Sequence, residues 1–179
     1  MAGRAAMKTL ADQMSVYAAY HNDATNKAIH FLFVPLIIWS AMGLLVQIGA
    51  IQVGTLAVTA AHVIAVILLA YYLSLDFPLG VAMVFLFTLM LVTVLQVQAA
   101  MGSQAWILFT AVFVGSWIAQ LVGHAAFEHR KPALADNVLQ VFVAPIFVVA
   151  EWAFAIGLRK KLQHEVEAGM VQHLPKPSS

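Results

Sequence analysis

The chain has 179 residues, of which 63% are hydrophobic and only 9% charged, with a mean hydropathy of +0.89. That balance lies far outside the range of soluble domains and marks an integral membrane protein. The net charge of +1, with Lys and Arg spread over three short polar segments, excludes a nucleic-acid-binding surface, and the lack of any cysteine excludes disulfides, thiolate ligands and cysteine nucleophiles. Any metal must therefore be held by nitrogen and oxygen.

From the N-terminus, Met1 to Tyr20 is mixed in polarity, with Arg4 and Lys8 and no short apolar core before a cleavage site, so it is expected to be retained rather than removed as a signal peptide. A helix crossing about 30 Å of hydrocarbon needs about 20 apolar residues. Windows of that kind run over Ala28 to Ile48, Val53 to Leu73, Phe77 to Ala99, Trp106 to His124 and Val138 to Leu158. The breaks at Gly49 to Gln52, Ser74 to Asp76 and Gly102 to Gln104 are short, so successive helices must pack antiparallel. No repeat or second domain is evident. Residues 1–179 read as a single membrane domain, with a polar tail over 166–179.

Topology follows from the basic residues, which favour the cytoplasmic side of short loops. Arg4, Lys8 and Lys27 precede the first window, Arg130 and Lys131 follow the fourth, and Arg159, Lys160 and Lys161 follow the fifth. Four crossings put the first two groups on one face; a fifth would put the third group on the other. The fifth window also holds Pro145 and Glu151, and a carboxylate at mid-membrane costs about 2.5–3.5 kcal/mol. The expected fold is thus all-α, with four transmembrane helices, a re-entrant or interfacial fifth apolar helix, and both termini cytoplasmic. The alternative is a true fifth span with Glu151 facing the bundle interior. Asp76 is expected to mark a turn on the non-cytoplasmic side.

Against this apolar background, His21 and His30 enter the first window, while His124 and Glu128 leave the fourth, at the same membrane face. On one unbroken helix His21 and His30 would point in opposite directions, at about 100° per residue. Asn22, Asp23, Ala24 and Thr25 favour a turn there, with Asp23 or Thr25 capping the membrane helix, and a bend can bring both imidazoles together. His124 and Glu128, four apart, share a helical face if the helix runs on toward the boundary imposed by Pro132. Two histidines from one end and a His plus a carboxylate from another suit Fe(II), with positions left open for oxygen and substrate. His21, His30, His124 and Glu128 are the candidate metal-binding and catalytic residues.

Each has a plainer reading. A lone boundary histidine is commonly an anchor or a hydrogen-bonded core residue; it is the conjunction that favours a site. Glu128 can pair with Arg130 or Lys131, and His129 faces elsewhere. His62, alone within the second window, reads as structural, and His164 and His173 as solvated. Trp39, Tyr71, Tyr72, Trp106 and Trp152 fit interfacial aromatic belts better than a substrate box.

Two motifs carry a resemblance. Tyr17, Tyr20, His21, Asn26, Ile29, His30 and Pro35 form the first. The second comprises Gln120, Gly123, His124, Phe127, Glu128, Arg130, Pro132, Ala133, Leu134 and Asn137, followed by Ala144, Pro145, Phe147 and Glu151. The pattern, over about Gln13 to Glu165, resembles the family of 2-hydroxy fatty acid dioxygenases, membrane proteins typified by a yeast enzyme of phytosphingosine degradation. The resemblance implies Fe(II)-dependent α-oxidation, in which a long-chain 2-hydroxy fatty acid and dioxygen react and the acid loses one carbon. It carries His21, His30 and His124 over as the family's histidines and Glu128 as a motif position. His129 departs from the pattern, where a basic residue is usual. Lys27, Arg130 or Lys131 could pair with the substrate carboxylate.

The rival reading is a non-catalytic membrane scaffold or divalent-metal carrier, but the middles of the first and fourth windows offer little polarity beyond Ser40 and Ser116. A diiron desaturase or hydroxylase needs more clustered histidines than this chain has. The topology fits a bacterial inner membrane and an endoplasmic reticulum membrane equally, with the active site at the cytoplasmic face.

Overall fold

The protein is described by a computed structural model over residues 9–128 and 138–174. His129, Arg130, Lys131 and Pro132, like Arg4 and Lys8, lie outside the described residues. Helix α1 spans Leu10–Ala19, closed at its start by a capping box between Thr9 and Asp12. The chain breaks where the turn residues predict, and Asp23 caps α2 (Ala24–Val46), its carboxylate accepting from the backbone N–H groups of Thr25 (2.7 Å) and Asn26 (3.0 Å).

The second window is shorter than expected. Residues Ala50–Val53 (β1) and Leu56–Thr59 (β2) form an antiparallel hairpin, so α3 begins only at Ala60 and ends at Leu75, 16 residues in all. Gly54, at φ +62°, supplies the left-handed step that a two-residue turn requires. An apolar run rich in β-branched residues reads alike as a strand and as the start of a helix, which is why the boundary was misplaced. The fold is therefore helical with one small hairpin.

Helix α4 (Phe77–Met101) is followed by a short 3-10 turn and α5 (Ala105–Gly123), which runs into a π-turn over His124–Glu128. The helical run from Phe77 to Glu128 is not straight. The Trp39 indole N–H donates to Thr93 Oγ1 at 3.0 Å, and the same ring lies 5.0 Å from that of Phe109. A straight helix would separate residues 93 and 109 by about 24 Å. The chain accordingly reverses at Gly102, where φ is +57°. Trp39 bonded to Thr93 and Gln47 to Gln98 make α4 parallel to α2, whereas Gly43 against Phe109 and Asn26 against Gly123 make α5 antiparallel. Helices α2 to α5 thus alternate in direction around a core that includes Met42, Tyr72, Met83, Phe87 and Phe109.

Among the described residues, Ala24–Val46 and Phe77–Glu128 are long and apolar enough to cross a membrane, and Ala60–Leu75 is apolar but shorter. Large apolar side chains such as Leu32, Val66, Ile67, Phe85 and Ile118 point outward from them.

The last window does not form one long helix. A 3-10 segment (Val138–Phe142) leads into α6 (Ala144–Ala155), and the axis then turns by 119° into α7 (Lys160–Met170). Gly157 and Arg159 make that bend with φ of 79° and 57°. Helix α7 lies against α1, where Ser15 Oγ donates to the Val166 carbonyl at 3.1 Å. Arg159 forms an ion pair with Asp76, and Tyr72 Oη donates to the Phe142 carbonyl at 2.9 Å. Asp76 therefore lies at the end of the bundle where α2 begins and α5 finishes, not at the opposite end as expected. With four alternating helices the connection between the second and third must return to the starting side.

Candidate metal centre

Three imidazoles meet where α1 gives way to α2 and α5 ends. His21 follows α1 and lies nearly parallel on the Tyr17 ring, with centroids 3.9 Å apart. Its Nδ1 is 2.7 Å from the Tyr17 carbonyl. His30 repeats the arrangement on the first turns of α2, with Nδ1 2.9 Å from the Asn26 carbonyl. A carbonyl only accepts, so Nδ1 carries the proton in both rings and each Nε2 is left with its lone pair. Such a bond fixes the tautomer and the aim of a metal-binding histidine. His124 opens the π-turn, a feature frequent at functional sites.

The ring centroids are 4.3 Å apart for His21 and His30, 4.7 Å for His21 and His124, and 4.9 Å for His30 and His124. One nitrogen from each lies within 4.8 Å of the others, and all three residues are buried. Nitrogens sharing an ion at about 2.1 Å sit about 3–4 Å apart, so a small inward movement suffices. His21 Nε2 and His124 Nδ1 are buried without a hydrogen-bond partner among the described residues, the condition of a ligand atom and a costly one otherwise. Burial, reinforced by the neighbouring His30, holds His21 well below the ordinary imidazole range, so its ring is neutral at physiological pH. The residues present fit a divalent ion of the borderline class that imidazole suits.

Glu128 is not in this group. One of its carboxylate oxygens accepts from the Asp23 backbone N–H at 2.9 Å and from Asn26 Nδ2 at 3.1 Å. It faces α2, as its spacing from His124 implies, but one turn beyond the imidazoles, where it ties the end of α5 to the start of α2. The two helices can approach here because residue 123 is glycine: a Cβ there would lie 2.6 Å from Asn26 Oδ1.

Of the remaining histidines, His62, His164 and His173 lie within the described residues. His62 Nδ1 accepts from the Thr59 N–H at 3.2 Å, so it caps α3 at its first turn rather than lying in mid-span. His164 and His173 are exposed. Trp106 and Trp152 point outward, whereas Trp39 and Tyr72 turn into the bundle on side-chain hydrogen bonds. Lys27 lines a separate recess with Glu151 and Glu167, and Arg130 and Lys131 lie outside the described residues.

The imidazoles border a small cavity of about 40 Å³, which adjoins an apolar cavity of about 220 Å³. Trp117, Gln120, Val141 and Ala144 belong to both walls. The larger cavity extends along α2 from Val34 to Leu45 and along α3 from Tyr72 back to Ala61. Trp117 was not singled out from the sequence and Gln120 only as a motif position, yet both precede His124 by seven and four residues, the spacing of one helical face. Gln140 had no such signal, since it lies on a 3-10 turn whose position is set by tertiary contacts.

Apolar helices enclosing a buried trio of nitrogen donors beside an oily cavity define a candidate metalloprotein of the membrane class. Residues 7–156 match the family described as 2-hydroxy-palmitic acid dioxygenase Mpo1-like, and the chain belongs to that family. It is similar to the 2-hydroxy-palmitic acid dioxygenase MPO1 of Saccharomyces cerevisiae, with 32% identity over 163 residues covering 88% of this chain and 90% of the yeast protein. No solved structure matches.

Proposed function

We propose that this protein is an Fe(II)-dependent dioxygenase that shortens long-chain 2-hydroxy fatty acids by one carbon. The observation that carries the reading is the convergence of His21, His30 and His124 beside a long apolar cavity in a chain of this family. Iron, when bound, would supply the redox chemistry with dioxygen and open positions for the acid. The chain's own residues do the rest. Tyr17 and Asn26 hold two imidazoles in the tautomer that leaves Nε2 free.

The apolar cavity receives the acyl tail. From Val34 to Leu45 the wall runs about 17 Å, close to the depth of one bilayer leaflet, which is also the reach of a long acyl chain. Each methylene buried contributes about 0.8 kcal/mol, so a long tail binds where a short one does not. Closing the tail away from water also places the first two carbons of the acid, whose bond is to be cleaved, beside the imidazoles.

We read α2 to α5 as four membrane crossings and α6, ending at its sharp bend, as a helix that enters the membrane without crossing. No Lys or Arg occurs from Ala28 to His129, while Lys27, Arg159, Lys160 and Lys161 gather at the imidazole end. The positive-inside rule then supports a cytoplasmic site and cytoplasmic termini.

The test is to purify the protein anaerobically in mild detergent, measure its metal content, and supply 2-hydroxypalmitate and oxygen. About one iron per chain and conversion to the 15-carbon acid are expected. Iron without turnover would instead favour a carrier, and no metal after Fe(II) is supplied would favour a scaffold with structural histidines.

A further inference from the structure

Two buried amides at the metal centre remain outside the account above. Gln120 and Gln140 are 8% and 6% exposed, and both line the 40 Å³ cavity with the three imidazoles. Gln120 Nε2 and Gln140 Oε1 each lack a hydrogen-bond partner among the described residues. Burying an unpartnered amide atom is unfavourable, and an apolar side chain of similar size would fill either position without that cost. The unpaired atoms are of opposite kind. One is a donor, and it stands at the seam between the imidazole cavity and the larger apolar one; the other is an acceptor that lines the imidazole cavity alone.

We propose that Gln120 and Gln140 read the head of the substrate: Gln120 Nε2 donates to the carboxylate, and Gln140 Oε1 accepts the hydrogen of the 2-hydroxyl. The inference rests on the hydroxy-acid reading and adds the basis of selectivity to it. An ordinary fatty acid satisfies Gln120 and leaves Gln140 unpaired. A site whose polar group is left unpaired by the wrong ligand rejects it far more strongly than a site that merely lacks a contact. The apolar cavity responds to chain length and cannot distinguish the two acids, so discrimination falls to Gln140.

The experiment measures equilibrium binding of 2-hydroxypalmitate and of palmitate to the iron-loaded protein without oxygen, so that no turnover occurs, with iron content determined in parallel. Wild type is expected to prefer the hydroxy acid. Gln140→Met should weaken 2-hydroxypalmitate about tenfold and bind palmitate at least as well as wild type does, so that the preference is lost, with iron retained. Gln120→Met should weaken both acids by a similar factor and leave their ratio intact. An undiminished preference in Gln140→Met at full iron content would overturn the assignment while leaving the proposed activity standing. Wild type that binds neither acid would remove the activity reading itself, and this inference with it. If the variants fail to fold, 2-oxopalmitate decides on wild type: it offers the same two oxygens but no hydroxyl hydrogen, and is expected to bind about tenfold more weakly. Equal binding would overturn the proposal.

Discussion

The two ends of the helical bundle are built to different standards. At one, Asn26, His30, Gly123 and His124 are buried and interlocked, α6 packs against α2 there, and α7 covers α1. At the other, the chain turns through a four-residue-stranded hairpin whose β1 is wholly exposed and through Gly102, with open space around Gly49, Gly54 and Gly102. The contrast shows where constraint lies. The imidazole end must hold polar atoms in fixed places inside an apolar body, whereas the hairpin end has only to reverse the chain.

Substitutions can break or sharpen this contrast. The largest effect is expected from His30→Ala or His124→Ala, each removing a nitrogen that no neighbour replaces. Iron content by elemental analysis should fall to background, and turnover should drop by more than about 100-fold.

Gly123→Ala comes next. The added Cβ meets Asn26 Oδ1 and Ile29 Cδ1, and Asn26 also holds His30 and Glu128, so the clash spreads through the site. A loss of about 1–3 kcal/mol is expected, read as a lowered thermal midpoint in detergent. Gly115→Ala, on the same helix with nothing within 4 Å, is its control and should stay within about 0.5 kcal/mol.

Glu128→Ala leaves the Asp23 N–H and Asn26 Nδ2 without their acceptor, at a cost of about 1–3 kcal/mol. If Glu128 only ties the helices, Glu128→Gln should keep its iron; loss of iron in that variant would restore the carboxylate to the ligand set. Smaller again is Asp23→Ala, which removes the cap of α2 and should cost about 1 kcal/mol by the same thermal measurement. Replacing Ile51 or Val53 by Ser in the exposed hairpin should change neither stability beyond about 0.5 kcal/mol nor iron content.

Much of the imidazole end was legible in the sequence because polar residues are rare in this chain and their positions stand out. His21, His30 and His124 came from that scarcity, and the turn at Asn22 to Thr25 from its capping chemistry. Glu128 was placed on the correct face, but periodicity carries no information on how far along a helix a partner lies. The start of α3 was misjudged because Val53, Val58 and their neighbours satisfy strand and helix patterns equally, and only Gly54 hinted at a turn. The cavities, and with them the roles of Trp117 and Gln140, arise from helices remote in sequence, so no local pattern encodes them.

Trp117 stands in the wall common to the imidazole cavity and the larger apolar one. The chain has four tryptophans; Trp106 and Trp152 face outward at 52% and 40% exposure, and Trp39 is engaged by Thr93. The molecule thus carries its own optical gauge: an indole placed to sense what enters the imidazole cavity on one side and the apolar cavity on the other. A protein with Trp39, Trp106 and Trp152 changed to Phe would report occupancy of either compartment by its intrinsic fluorescence, without any label.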